Sequence, residues 1–182
     1  VQIVPFFEGI KWDELGVNGK QWPVNAKGVD TQILHSESFK IGLGQFIFNE
    51  FEESRELVKH GKEYPYIITT NRILEHYNCG AMTRRTNNEQ IVQKDVLWIN
   101  PKDAAAHNIK EDDFVCVESP RGKVDIQAMI TEGVKPGILS TTFHFPEIMV
   151  NNITSDEHDS QAMCPEYKVT AVEIEKAQAV TA

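Results

Sequence analysis

Val124-Asp125-Ile126-Gln127-Ala128-Met129-Ile130 alternates apolar Val124, Ile126, Ala128 and Ile130 with Asp125 and Gln127, and Lys123 precedes it in phase. A period of two residues places every second side chain on one face, so this stretch is a half-buried β-strand. Upstream, Pro120-Arg121-Gly122 supplies a hairpin-type turn, and before it Phe114-Val115-Cys116-Val117 is apolar on both faces, unsuited to a wet edge. Downstream, Thr131 to Gly137 is a longer turn, and Ile138 to Phe143 reads as the next strand. Tyr66 to Thr70, Leu97 to Ile99 and Tyr167 to Ile174 complete the strand set.

A single short helix interrupts it. Asn100 is a natural N-cap, Pro101 fits the first helical position, and Asp103 is an acid in the first turn. Asn108 can end the helix in the left-handed conformation. Short strands with regularly spaced turns and few helices point to a mainly β fold, a barrel or a sandwich, and give no sign of a doubly wound sheet.

The first sixty residues lack sustained period. Gly16, Gly19, Pro23, Gly28, Gly42 and Gly44 punctuate scattered aromatics from Phe6 to Phe48. Residues 1–60 therefore read as an irregular arm or linker from a preceding domain, and residues 61–182 as the β domain. The aromatic stretch is either an arm packing on a neighbour or loops closing over the chain's own core. The charged turn Glu52-Glu53-Ser54-Arg55-Glu56 reads as a solvated helical face.

Composition narrows the function. Lys and Arg number 18 against 27 Asp and Glu, a net charge of −9, which argues against a general nucleic-acid binder. Cys79, Cys116 and Cys164 form no CxxC pair, fit a reducing compartment, and are fewer than the four thiolates an iron–sulfur cluster usually takes. No apolar run approaches the ~20 residues of a membrane span. The opening Val1-Gln2-Ile3-Val4-Pro5 lacks an initiator Met and a signal pattern, so the chain is expected to be a piece of something longer.

Two segments concentrate chemistry. The loop Thr70-Asn71-Arg72-Ile73-Leu74-Glu75-His76-Tyr77-Asn78-Cys79-Gly80-Ala81-Met82-Thr83-Arg84-Arg85-Thr86 gathers three arginines, a histidine, two asparagines and several hydroxyls in an acidic protein. Guanidinium forks bind phosphate oxygens bidentately, and Asn and Thr donors complete such a cradle; surface charge paired with acids is the competing reading. Thr141-Thr142-Phe143-His144-Phe145-Pro146-Glu147, followed by Asn151-Asn152-Ile153-Thr154, taken alone reads first as buried core, and otherwise offers an aromatic flanked by His144 to stack on a heterocycle and an Asn amide to read a ring edge. A third segment is Pro165-Glu166-Tyr167-Lys168, with Lys168 starting the last strand. No Ser-His-Asp order, Walker loop, dinucleotide GxGxxG or HExxH occurs. These residues suggest an anionic heterocyclic ligand on the loops of a β fold and name no reaction.

In this order, the segments resemble the carboxy-terminal domain of the molybdopterin-dinucleotide oxidoreductases, the dimethyl-sulfoxide-reductase superfamily, and most of all that of formate dehydrogenase alpha subunits. The resemblance runs through Thr70 to Arg85, Ile99-Asn100-Pro101-Lys102-Asp103-Ala104 to Val115, Ser119-Pro120-Arg121-Gly122, Val134-Lys135-Pro136-Gly137, Phe143-His144-Phe145 to Thr154, and Pro165 to Lys168; Trp12 to His35 is similar to the stretch leading in. It implies a double-psi β-barrel that binds bis(molybdopterin guanine dinucleotide) with molybdenum or tungsten. Thr70, Asn71, Arg72, Leu74, His76, Tyr77, Asn78 and Cys79 would lie along that cofactor, with Phe143 on the pterin or substrate side, and Asn151, Tyr167 and Lys168 as further contacts. Arg84 and Arg85 would meet phosphates or another domain.

The resemblance also implies what lies elsewhere. The metal-ligating cysteine or selenocysteine and the 4Fe-4S cysteines belong to upstream domains, so this chain would hold no catalytic residue and no metal ligand, and would be inert alone. Its expected partners are those upstream domains and electron-transfer subunits, in the cytoplasm, with no nucleic acid and no membrane span. The sequence departs from the family pattern where Asn71, Asn108 and Asp112 replace glycines, Asn71 keeping some tolerance for left-handed backbone. The alternatives are the equivalent domain of a periplasmic-type nitrate reductase and a free-standing double-psi-barrel binding or assembly protein.

Overall fold

A computed structural model describes residues 4–39 and 41–177; Val1-Gln2-Ile3, read above for leader features, lie outside them. The chain divides into two compact units, Val1–Glu50 and Phe51–Ala182.

In the second unit six strands close into a barrel in the order β1-β5-β2-β4-β3-β6. They are β1 (Tyr66–Thr70), β2 (Leu97–Ile99), β3 (Phe114–Ser119), β4 (Gly122–Ile130), β5 (Ile138–Thr141) and β6 (Thr170–Lys176). The alternation of β4 is realised: Val124, Ile126 and Ala128 are buried while Lys123 and Asp125 face water. β4 pairs antiparallel with β3, Val115 opposite Ile126, and parallel with β2, Leu97 opposite Ala128. The second parallel pair sets Ile68 of β1 beside Leu139 of β5. Parallel neighbours need crossovers rather than hairpins, and accordingly β1 and β5, and β2 and β4, are joined only through intervening elements. β3 has β4 on one side and β6 on the other, so its apolar run meets no open edge.

The inward residues form one core, in which Leu97, Ile99, Val115, Val117, Ile126, Leu139 and Val172 are fully buried. Because Leu139 is enclosed on all sides, Leu139→Ala leaves a cavity the barrel cannot collapse around. Its expected cost is about 2–5 kcal/mol, read as a lower urea midpoint at unchanged slope.

Helix α2 (Pro101–Ala106) begins as its sequence indicates, the Asn100 side chain accepting from Lys102 N at 3.0 Å. Asn108 is left-handed at φ 54°, and Asp112 at φ 64°. Three features differ from the sequence reading. β5 ends at Thr141 rather than Phe143, because Asp95 draws the chain off the sheet by accepting from Thr142 Oγ1 and from Phe145 N. β6 begins at Thr170, since a turn closed by Val169 N to Glu166 O holds Tyr167 and Lys168 before the strand. Helix α1 (Arg55–His60) is not merely a solvated face: Glu56 is completely buried, and the helix packs against β6 in the barrel unit.

The first unit is irregular, with 3-10 turns at Pro5–Phe7 and Trp12–Glu14. Val24 is buried within it and donates its N–H to Phe6 O, beside an edge-on Phe6–Trp22 ring pair at 5.7 Å. Ile41, Leu43, Phe46, Ile47 and Phe48 are exposed. Among the described residues no helix is long and apolar enough to cross a membrane.

Candidate functional site

β1 and β5 run parallel, so their carboxyl ends release two chemistry-bearing segments side by side. Asn71 extends the ladder by one bond, its N–H donating to Thr141 O at 2.8 Å, and its side-chain amide donates to Ser140 Oγ. Asn71 is not among the residues with positive φ, so the turn does not use the left-handed backbone that glycine would offer there. The Lys168 ammonium donates to Thr70 O, which brings Thr70, Asn71 and Lys168 to one end of the barrel.

Beyond Asn71 the loop is braced from inside by two histidines. His76 Nε2 meets Val92 O at 2.8 Å and Nδ1 meets Thr83 Oγ1 at 3.0 Å, while Thr83 Oγ1 also accepts from Tyr77 N. A carbonyl can only accept, so Nε2 carries a proton. His144, also buried, donates from Nδ1 to Asn78 O and accepts from Ile73 N at Nε2. Every ring nitrogen of the pair is thereby engaged by the fold. Gly80 sits where these strands of chain touch; its φ is +71°, and a Cβ there would lie 2.5 Å from His144 O. Only glycine fits both demands.

Outside this brace lies a cleft of about 200 Å³ lined by Cys79, Phe143, Phe145, Pro146, Met149, Val150 and Asn151. The Arg72 guanidinium lies over the Phe143 ring at 5.4 Å, and the His76 ring meets Phe145 edge-on at 5.0 Å. The structure thus gathers Cys79, Phe143 and Asn151 in one cleft, puts Arg72 at its aromatic wall, and puts His76 and His144 behind it. Leu74 is fully exposed, and Tyr77 and Tyr167 are largely so; none of the three lines the cleft. The volume is below the ~300–1,000 Å³ of a pocket that encloses a whole small molecule, so the cleft suits one part of a larger ligand. A hollow of about 460 Å³ is rimmed by Glu52, Glu53, Asp159 and Glu166, whose charges oppose an anion, and one of about 410 Å³ is mostly apolar around Val96, Trp98 and Met129.

Arg84 is already committed. Its fork meets Glu147 at 2.7 and 3.0 Å, lies 3.5 Å from Glu89 and stacks over Phe145 at 4.8 Å. The Arg84 hydrogen bond holds the Glu147 carboxyl below the ordinary glutamate range. The unfolded chain therefore takes up the proton first: the pair's stabilisation is complete above the ordinary value and disappears as pH falls through the lowered one. Glu147→Gln should remove this part of the acid sensitivity, seen by comparing unfolding midpoints between about pH 3 and 7. A Glu147→Gln variant that keeps the parent's full pH profile would show that the pair contributes nothing.

Sequence reasoning passed over Asp95. It is buried, and by holding Thr142 and Phe145 it fixes the exit from β5 that presents Phe143. Its one signal was an acid directly before the apolar Val96-Leu97-Trp98-Ile99 run.

Residues 66–171 match the Molydopterin dinucleotide binding domain family. Over 179 residues the chain is 37% identical to the F420-dependent formate dehydrogenase 2 subunit alpha of Methanococcus maripaludis, covering 96% of this chain and 26% of that protein. The F420-dependent formate dehydrogenase subunit alpha of Methanocaldococcus jannaschii gives the same 37% identity and coverage. Acetylene hydratase from Pelobacter acetylenicus shares the fold at TM-score 0.60 and 16% identity, over 93% of this chain and 28% of that one. The chain belongs to the Molydopterin dinucleotide binding domain family, and it spans about a quarter of the length of the relatives it matches.

Proposed function

We propose that the chain is the carboxy-terminal domain of a formate dehydrogenase alpha subunit and that the Phe143 cleft with its rim holds part of bis(molybdopterin guanine dinucleotide). The observation that carries the binding role is the convergence of Arg72, Phe143, Cys79 and Asn151 at the carboxyl ends of β1 and β5. The residues fit such a group. An aromatic wall, amide donors and two cations match a fused ring with an anionic tail. Arg72 and Lys168 would neutralise pyrophosphate charge, Asn71 and Asn151 would address ring edges or phosphate oxygens, and Phe143 and Phe145 would exclude water.

When bound, the cofactor's molybdenum or tungsten would supply the two-electron oxidation of formate to carbon dioxide. This chain's share is to bind, orient and screen. The substrate assignment is supported by formate dehydrogenase relatives alignable over 96% of the chain. It carries with it a 4Fe-4S cluster in upstream domains and electron-transfer subunits as partners. A cytoplasmic setting is supported by three free thiols, Cys79, Cys116 and Cys164.

The test is to purify the full-length subunit, determine its metal and pterin content, and offer formate and nitrate with artificial electron carriers. Pterin with formate-dependent dye reduction is expected. Nitrate reduction instead would transfer the domain to the nitrate reductases, and absence of pterin would favour a free-standing binding protein.

A further inference from the structure

The Glu56 carboxylate is completely buried yet carries no role in the cleft. Its two oxygens accept four hydrogen bonds: from Arg121 Nη1 at 3.1 Å and Nη2 at 2.6 Å, from Ser155 Oγ at 3.1 Å, and from Ala171 N at 3.1 Å. One residue of α1 thereby joins the β3–β4 turn, the start of β6 and the segment after the cleft. Arg121 passes the constraint onward, since its Nη2 also donates to Ile153 O at 3.3 Å. The next residue, Gly122, approaches so closely that a Cβ would lie 3.0 Å from Asn152 O. The carbonyl at 153 that Arg121 holds, and the one at 152 that Gly122 leaves room for, directly follow Asn151, whose 3-10 turn (Val150–Asn152) forms one wall of the cleft.

We infer that the Glu56–Arg121 pair is a positioning device for Asn151, setting the distance between this wall and Phe143. The inference rests on the cofactor reading of the cleft. Glu56 anchors the guanidinium by its fork, the guanidinium holds the chain at Ile153 O where it leaves the 3-10 turn, the glycine after it permits the close approach, and the turn presents the amide. A lysine at 121 would keep the charge opposite Glu56 but lose the planar fork that reaches Glu56 and Ile153 together.

The experiment follows release of the dinucleotide cofactor from the loaded full-length subunit by pterin fluorescence, in Arg121→Lys, Glu56→Gln, Asn151→Ala and the double variants with Asn151→Ala. Ile174→Val, a core change on β6, controls for lost stability, and Arg121→Lys is the mild change that retains a charge partner for Glu56. Release is expected to quicken about tenfold in Arg121→Lys and Glu56→Gln, the worth of one charge-assisted hydrogen bond. Added to Asn151→Ala, the same changes should have under about twofold effect, because coupled groups are not additive. Ile174→Val should leave release unchanged. If Asn151→Ala quickens release and Arg121→Lys does not, or if the two effects simply multiply, the positioning role is overturned while the cleft reading stands. If Asn151→Ala itself changes nothing, the cleft reading falls and this inference falls with it.

Discussion

Glu56→Ala should lower the unfolding free energy by about 3–5 kcal/mol, the characteristic penalty for removing one partner of a buried, hydrogen-bonded ion pair. The alanine removes an acceptor of four bonds, so Arg121, Ser155 and the Ala171 amide each lose a bond at once, and Arg121 keeps only Ile153 O and, at 3.9 Å, Asp156. Arg121 suffers most, because its Nε is already buried without a partner. Glu56→Gln should cost less: the amide still accepts through one oxygen, though its NH₂ faces the guanidinium donors. Urea unfolding of the two variants decides the matter. A Glu56→Ala change within about 1 kcal/mol of the parent would mean that the pair's desolvation had consumed its benefit.

Arg72→Ala should produce the largest functional loss. The guanidinium sits over Phe143 rather than in an ion pair with an acid among the described residues. It is therefore held in place with its donors available to an anion. Losing a charge-assisted contact of about 1.5–3 kcal/mol weakens cofactor affinity roughly 10- to 100-fold. Metal and pterin analysis of the full-length subunit should show lower occupancy, and Arg72→Lys should recover only part of it because an ammonium offers no planar fork. Phe143→Leu should act in the same direction more weakly by removing the face on which the guanidinium rests. Full occupancy in Arg72→Ala would place that residue on ordinary surface.

How far sequence alone reached depended on whether the cause was local. The alternation in Val124 to Ile130 and the Asn100-Pro101 helix start depend on neighbours a few residues away, and both were readable. The end of β5 was not, since it is set by Asp95, 47 residues from Thr142. Glu56 looked like one more acid on a wet turn; its partners are 65, 99 and 115 residues distant. The histidines show the same limit within the site. His76 and His144 lie behind the Phe143 cleft, but their nitrogens are spent on Thr83, Val92, Ile73 and Asn78, which no spacing rule foretells. Arg84, one of three arginines that looked alike, proved to be paired with Glu147.

A crystal structure of the cofactor-loaded full-length subunit would decide whether the Phe143 cleft holds the cofactor. A ring of the dinucleotide cofactor is expected against Phe143, with Asn151 within hydrogen-bond reach and an anionic oxygen on Arg72. A cofactor seated elsewhere, with the Phe143 cleft filled by protein side chains, would contradict that expectation.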